Sequence, residues 1–300
     1  MCRILQARAR GAMYGQLIGD NLGALVEFRK PWEIEQLYPN GVRELTGGGP
    51  HGVVPGQATD DSEMALTLAR SLVRNRGYSA EDVLESYRRW ADSDPFDIGG
   101  TCSAALWPPY HRNFESAANG ALMRISPLAI AYHGKPEVAA DCARVDAEMT
   151  HPNDYAVMVN AVYTAALAKV ISGENPVDAL LGSADELQLQ VQDFIETPPE
   201  HVHLGDFGWC RYAFNFTCYY AANGSNFEDD LVAIIGMGGD TDTNAAIAGA
   251  YLGAVYGEDG IPQRWRDVID SYRTEHADRP AEYSPEGALS LVDDLLALSC

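Results

Sequence analysis

Two short stretches of this 300-residue chain crowd carboxylates and hydroxyls into a few positions. One is Gly236-Met237-Gly238-Gly239-Asp240-Thr241-Asp242-Thr243, the other Thr59-Asp60-Asp61. Each runs straight into an apolar, alanine-containing helical pattern, so its oxygen atoms stand at a helix start. Taken singly, either reads as an N-terminal cap with acids that complement the helix dipole. The Asp240–Thr243 stretch is not an EF-hand loop, which needs a glycine at position 6 and a terminal Glu. Occurring twice, the pattern suggests one centre assembled from both ends of the chain to hold a hard divalent cation. Neither stretch contains Cys or His, so the donors favour Mg²⁺ or Mn²⁺ over zinc. Two such ions about 3.5–4 Å apart can clamp a diol or activate a water.

The elements that must position these clusters read as helices nearly throughout. A first helix, from about Arg3 to Glu27, carries Gly11, Gly15, Gly19 and Gly23 at four-residue spacing. Glycine costs about 1 kcal/mol in a helix interior, so such a stripe implies a partner backbone at very close range. Gly249, Gly253 and Gly257, after the Asp240–Thr243 cluster, form a matching stripe. The two helices are expected to pack on one another and bring both clusters together. Further helical patterns cover Ser62–Arg76, Ala80–Asp92, Ala117–His133, Pro136–Met149, Tyr155–Ser172, Ala184–Ile195, Gly208–Ala222, Asn226–Ile235 and Pro285–Ser299. Ser79 and Asn226 read as N-caps. Thr46–Gln57 is a glycine- and proline-rich loop, and a second loop surrounds Asp94–Gly100. No repeat of solenoid period and no alternating strand pattern is present. The expectation is an all-α, single-domain (1–300) orthogonal helical bundle with a binuclear metal site at helix N-termini.

Composition narrows the partners. The hydrophobic share is 46% and the formal charge −22, from 43 acidic against 21 basic side chains. Such a chain is globular, and its surface repels nucleic acid and anionic lipid. An anionic ligand would need local help from metal ions, helix N-termini or backbone amides. No apolar run is read as a membrane span, and the polar N-terminus has no signal-like apolar stretch. Cys2, Cys102, Cys142, Cys210, Cys218 and Cys300 show no CxxC spacing and fit unpaired thiols of a reducing cytoplasm.

Five segments then stand in a telling order. Gly19-Asp20-Asn21-Leu22-Gly23 with Glu27, Thr59-Asp60-Asp61, Asn119-Gly120-Ala121-Leu122-Met123-Arg124, Thr150-His151-Pro152 and Gly238-Gly239-Asp240-Thr241-Asp242-Thr243 together resemble the ADP-ribosylglycohydrolase family. The resemblance spans residues 11 to about 257. It implies an all-α fold, two Mg²⁺ or Mn²⁺ ions, and removal of ADP-ribose from a modified protein or a small conjugate. By that resemblance Thr59, Asp60, Asp61, Asp240, Asp242 and Thr243 are metal ligands, and Asp61, Glu27 and Asp97 are the candidate catalytic carboxylates. Gly48, Gly49, Asn119 and Gly120 match segments that meet ribose and diphosphate, His151 a histidine near the adenosine, and Trp209 an adenine-stacking aromatic. On the residues alone, Glu27 reads equally as a solvated helix-end acid, and His151 and Trp209 equally as core or capping groups. Ser62 and Ala58 stand where the family commonly has Thr and an aromatic.

Arginine is the preferred acceptor, with serine O-linked and other ADP-ribose conjugates as the alternative. A monomer is favoured. Two other classes stay open: a phosphoesterase using the same two-metal clamp, and a non-catalytic ADP-ribose binder. Asp206-Phe207-Gly208 mimics a kinase motif, yet the loops that would accompany it in a kinase are missing.

Overall fold

Glycine meets glycine along the spine of the molecule. The computed structural model describes residues 3–202 and 205–298. Its helices are α1 (Arg3–Gly23), α2 (Pro31–Leu37), α3 (Asp60–Asn75), α4 (Ala80–Ala91), α5 (Gly100–Leu106), α6 (Ser126–Ala131), α7 (Pro136–Thr150) and α8 (Asp154–Ser172). They continue with α9 (Pro176–Glu186), α10 (Gln192–Glu196), α11 (Cys210–Asn223), α12 (Phe227–Gly236), α13 (Thr241–Tyr256), α14 (Gln263–Ser271) and α15 (Ala288–Ala297). Among the described residues the only extended pairings are the isolated bridges Gly48–Val53 and Ala118–Trp209. The fold is all-α.

Helices α1 and α13 lie together from Gly11 to Gly23 of α1, packed on one another as the two stripes predict. A methyl group built on Gly15 would meet the Gly249 carbonyl oxygen at 1.9 Å, and one on Gly11 the Gly253 oxygen at 2.1 Å. Gly19 faces Ala245 in the same way, at 2.1 Å. Gly257 does not join the contact. It sits past the end of α13 at φ +69°, with its nearest neighbour 3.9 Å away. Gly15→Ala is therefore expected to cost about 2–3 kcal/mol by overpacking, because the obstacle is backbone. Gly236→Ala, where nothing lies within 4 Å, is the control. Urea midpoints should separate the two variants.

Several boundaries differ from expectation. α1 stops at Gly23, not Glu27, where the chain meets the start of α13: a methyl group built on Gly23 would strike the Asp242 backbone at 2.4 Å, and the Gly23 carbonyl accepts from Thr241 Oγ1 at 2.7 Å. The chain turns there, with Phe28 at φ +62°. Ala117–His133 is not one helix. Asn119 N donates to the Gly208 carbonyl and Cys210 N to that of Ala117, both at 2.9 Å, so this stretch is held by pairing across the fold. Only a 3-10 turn (Leu122–Arg124) and α6, with proline in its first turn, follow. Ala184–Ile195 is likewise split between α9 and α10, with Gln188 at φ +60° in the break. Asn175 caps α9 ahead of Pro176, a start signal the periodic reading passed over. The predicted Pro285–Ser299 helix is α15; Ser299, like Cys2 and Cys300, lies outside the described residues.

α2 and α5 are short, and α14 buries Trp265 and Ile269 at four-residue spacing; none of the three was anticipated. α8 is long and apolar enough by composition to match a membrane span, contrary to the sequence reading, but 72% of that window is buried inside the protein. Ser79 and Asn226 do cap α4 and α12, each accepting from the third residue onward.

Candidate metal centre

Because α1 and α13 touch, the start of α13 lies beside the start of α3, and the two acidic clusters converge. Thr59 and Asp240 occupy the cap positions, but neither side chain accepts a capping bond from the backbone of its own helix. The cap for α3 comes from α1 instead. Asp20, fully buried, accepts from Thr59 N (3.1 Å) and Ser62 N (3.1 Å), while Thr59 Oγ1 lies 2.9 Å from its Oδ1. The carboxylates of Asp60 and Asp61 are thereby left over from capping α3, while Asp242 Oδ1 accepts from Thr243 N at 2.9 Å at the start of α13.

Their surroundings are acidic and largely buried. Thr59 Oγ1 stands 3.1 Å and Thr243 Oγ1 3.4 Å from Asp61 Oδ2, whereas Asp61 Oδ1 is buried with no hydrogen-bond partner. Asn119 Nδ2 donates to Asp240 Oδ2 at 2.8 Å, and Gly99 N to Asp60 Oδ2 at 3.2 Å. Glu27 approaches from the turn after α1. That turn is tied to the second cluster by Phe28 N donating to the Gly239 carbonyl (2.8 Å) and Gly239 N to that of Arg29 (2.9 Å). Gly239 has φ +79°, and a methyl there would also strike Val202 at 2.5 Å. Carboxylate oxygens of Glu27, Asp240 and Asp242 lie within 4.8 Å of one another.

Burial raises every acid here. It holds Asp60, Asp61 and Asp242 well above the usual carboxylate range, with Asp97, Asp60 and Glu27 respectively as the next largest influence. It pushes Glu27 up to about 9, helped by Asp97 and Asp240, and Asp20 to about 7 against the hydrogen bonds from Ser62 and Thr59. Among the described residues no Lys or Arg lines the cavity above them. An orphaned carboxylate oxygen, threonine hydroxyls and uncompensated negative charge fit a hard divalent cation.

That cavity holds about 330 Å³. Glu27, Asp60, Asp240, Asp242 and Thr243 form one wall, and Asp97, Asn119, Gly120 and His151 also line it. Thr59 and Asp61 lie behind the wall, fully buried. His151 is held neutral, its pKa lowered to about 3 by burial and by Arg124, with Nδ1 2.8 Å from Thr150 Oγ1. Behind Gly120, the buried Arg124 donates to Asp146 Oδ1 at 2.8 Å and to the Gly120 carbonyl at 3.4 Å. Gly48 and Gly49 are not brought to the cavity. Gly49 packs on the Ala24 carbonyl, and a methyl there would meet it at 2.0 Å. Trp209 is half-buried in an adjoining groove that shares Ala118, Phe207 and Gly208 with the cavity.

Sequence reasoning missed three contributors. The glycine loop delivers His51, whose Nε2 lies 2.9 Å from Glu27 Oε2 and 3.4 Å from Asp97 Oδ2. Phe28 and Phe207 make an edge-to-face pair at the cavity mouth, ring centroids 5.5 Å apart. Phe207 and Gly208 belong to the segment set aside as a kinase mimic. Its glycine neighbourhood and the Phe–Gly pair were the available signals.

In this all-α protein the acidic centre thus opens into a ligand-sized cavity where two helix N-termini meet. The sequence profile of ADP-ribosylglycohydrolases matches residues 1–298, and the chain belongs to that family. It is 33% identical over 274 residues to the ADP-ribosyl-[dinitrogen reductase] glycohydrolase of Rhodospirillum rubrum, covering 88% of this chain and 90% of that one. It is 26% identical to the ADP-ribosylarginine hydrolase Tri1 of Pseudomonas putida (87% and 74% covered) and 25% to ADP-ribosylhydrolase ARH3 of Bos taurus (89% and 89%). A solved ADP-ribosylglycohydrolase-related protein complex superposes with a TM-score of 0.80 at 30% identity, covering both chains completely.

Proposed function

We propose that this chain is a single-domain, monomeric, cytoplasmic hydrolase that frees ADP-ribose from ADP-ribosyl-arginine on protein. The observation that carries the reading is the convergence of Thr59-Asp60-Asp61 and Asp240–Thr243, with a buried unpartnered Asp61 oxygen, beneath a cavity in a chain of this family. Arginine as acceptor is supported by the likeness to Tri1, whose name specifies ADP-ribosylarginine. Cys102, Cys210 and Cys218, buried as free thiols, support a reducing compartment.

In this reading Thr59, Asp60, Asp61, Asp240, Asp242 and Thr243 would hold two divalent cations, Mg²⁺ or Mn²⁺. Bound there, the cations supply positive charge that lets these acids ionise together and polarise the oxygen atoms they meet. The chain's own residues do the rest. Asn119 fixes Asp240, and Gly99 N fixes Asp60, so the wall facing the ribose is rigid before substrate arrives. His151, neutral, adds a polar edge without a charge that would compete for the acids. Asp61 is too deep to reach substrate, so the base is a carboxylate at the wall, Asp97 or Glu27. Of these Asp97 is the more open, its side chain 18% exposed against 4%. As the bond from the ribose anomeric carbon to the guanidinium nitrogen breaks, its electrons leave with the nitrogen and positive charge builds on the sugar. Water adds to that carbon and its proton passes to Asp97.

Peptides carrying ADP-ribosyl-arginine and ADP-ribosyl-serine, offered in parallel with Mg²⁺ or Mn²⁺, test the acceptor. Release of ADP-ribose chiefly from the arginine peptide is expected. Release chiefly from serine would overturn the arginine assignment and leave the glycohydrolase reading standing.

A further inference from the structure

One buried cation near the centre is unused by the mechanism. Arg279 lies in the irregular segment between α14 and α15, remote in sequence from every cavity residue, and its side chain is 7% exposed. It donates from Nε to Glu63 Oε1 at 2.8 Å and from Nη2 to Glu63 Oε2 at 2.5 Å. The remaining edge of the same fork reaches Ser93: Nη1 to its carbonyl at 3.0 Å, Nη2 to its Oγ at 3.1 Å. Glu63 is in the first turn of α3, beside Asp60 and Asp61, and also accepts from Trp90 Nε1 at 2.7 Å near the end of α4. Ser93 opens the loop that carries Asp97, and its Oγ donates back to the Trp90 carbonyl at 2.6 Å.

That loop is thus pinned at both ends to α3. Ser93 is tied through Arg279 to Glu63, and Gly99 N is tied directly to Asp60. Between the pins the chain bends at Asp94, which takes φ +56°, a left-handed turn conformation that Asp adopts more readily than most residues. Asp97 projects from this arch toward His51.

We infer that Arg279 is a positioning residue, which locks the 93–99 loop, and with it Asp97, to the helix carrying Asp60 and Asp61. The inference rests on the proposed hydrolysis. A guanidinium is required because only a planar fork reaches the Glu63 carboxylate and the Ser93 carbonyl and hydroxyl together; an ammonium is a point charge. The surrounding segment has its own anchors, the Arg70 Nη2 bond to the Ser284 carbonyl (2.8 Å) and the buried Tyr283. Lysine at this position therefore leaves the segment docked and Glu63 neutralised while the arch is released.

The test is Arg279→Lys, made in the otherwise natural enzyme and in the Asp97→Asn enzyme, assayed on an ADP-ribosyl-arginine peptide. In the first, kcat should fall about 10- to 100-fold, the cost of a misplaced reacting group, with KM moved less than about 3-fold. In the Asp97→Asn background the same change should alter kcat less than about 2-fold, because the group being positioned is already gone. Hydrogen exchange at the Gly99 amide should quicken in Arg279→Lys. Equal losses in both backgrounds would mean general weakening of the fold, and full activity or unchanged Gly99 exchange would mean no positioning; each overturns the inference. Should Arg279→Lys not fold, Glu63→Met with Arg279→Met replaces the buried pair by apolar side chains and serves the same comparison. If the natural enzyme turned over no ADP-ribosyl substrate, the proposed function would fall, and Gly99 exchange would still decide whether Arg279 holds the loop.

Discussion

Asp60→Asn combined with Asp242→Asn is expected to abolish turnover while making the metal-free protein more resistant to heat. The loss should be on the order of 10³-fold or more in kcat, since several kcal/mol of charge stabilisation disappear and each 1.4 kcal/mol is about tenfold. The gain in stability follows from burial. Both carboxylates sit in a buried, acidic cluster that disfavours their charged forms, and an amide of the same shape removes that repulsion. The amides introduced at the two positions would keep carbonyl oxygens for the bonds from Gly99 N and Thr243 N. Activity and melting temperature moving in opposite directions would identify a functional cluster held at a cost to the fold. A variant that lost both together would show the acids to be structural.

The second large effect is a pH-dependent response to divalent cations. Glu27 has its folded pKa raised to about 9 and Asp20 to about 7, and Asp60, Asp61 and Asp242 stand well above their unfolded values. The folded chain therefore keeps protons that the unfolded chain gives up. The stability these groups contribute is fully present below their unfolded pKa values, near 4, and is lost as pH rises through their folded ones. In chelator the melting temperature should fall between about pH 5 and pH 9. A cation replaces the protons, so millimolar Mg²⁺ or Mn²⁺ should raise the melting temperature by roughly 5–10 °C at pH 8.5, and by clearly less at pH 5.5. Calorimetry with and without chelator reads this directly. A shift that is the same at both pH values, or that survives in Asp60→Asn with Asp242→Asn, would place the binding elsewhere.

The spine and the two acidic clusters were legible because their signals are local and have few other uses. Glycine every four residues on a helix is unfavourable unless a backbone lies against it, so Gly11 and Gly15 pointed correctly to the helix of Gly249 and Gly253. Gly19, by contrast, meets Ala245, which the glycine stripe did not include. Gly257 had the spacing but not the helix, since the chain leaves α13 one residue earlier. What escaped the sequence was whatever depends on contacts across the fold. The pairing of Ala117–Asn119 with Gly208–Cys210 turned a plausible helix into a cavity wall, and no periodicity in either segment announces it. His51 lies in a loop whose glycines drew attention to phosphate, yet the loop's visible product is an imidazole between Glu27 and Asp97. Glu27 was placed on the wrong element, a helix end rather than a turn, although it reaches the acidic centre all the same. Asp20 was visible only as part of a motif; its work, capping α3 from α1 and so freeing Asp60 and Asp61, is tertiary.

The central claim is that these acids serve hydrolysis at the ribose anomeric carbon with divalent cations in place. Its most direct test is mass spectrometry of the products from an ADP-ribosyl-arginine peptide, incubated with the protein in Mg²⁺ or Mn²⁺ and again in excess chelator. Intact ADP-ribose and a peptide bearing unmodified arginine, formed with the metal and not in the chelator, is the predicted result. AMP with a phosphoribosyl peptide, or equal turnover in the chelator, would contradict it.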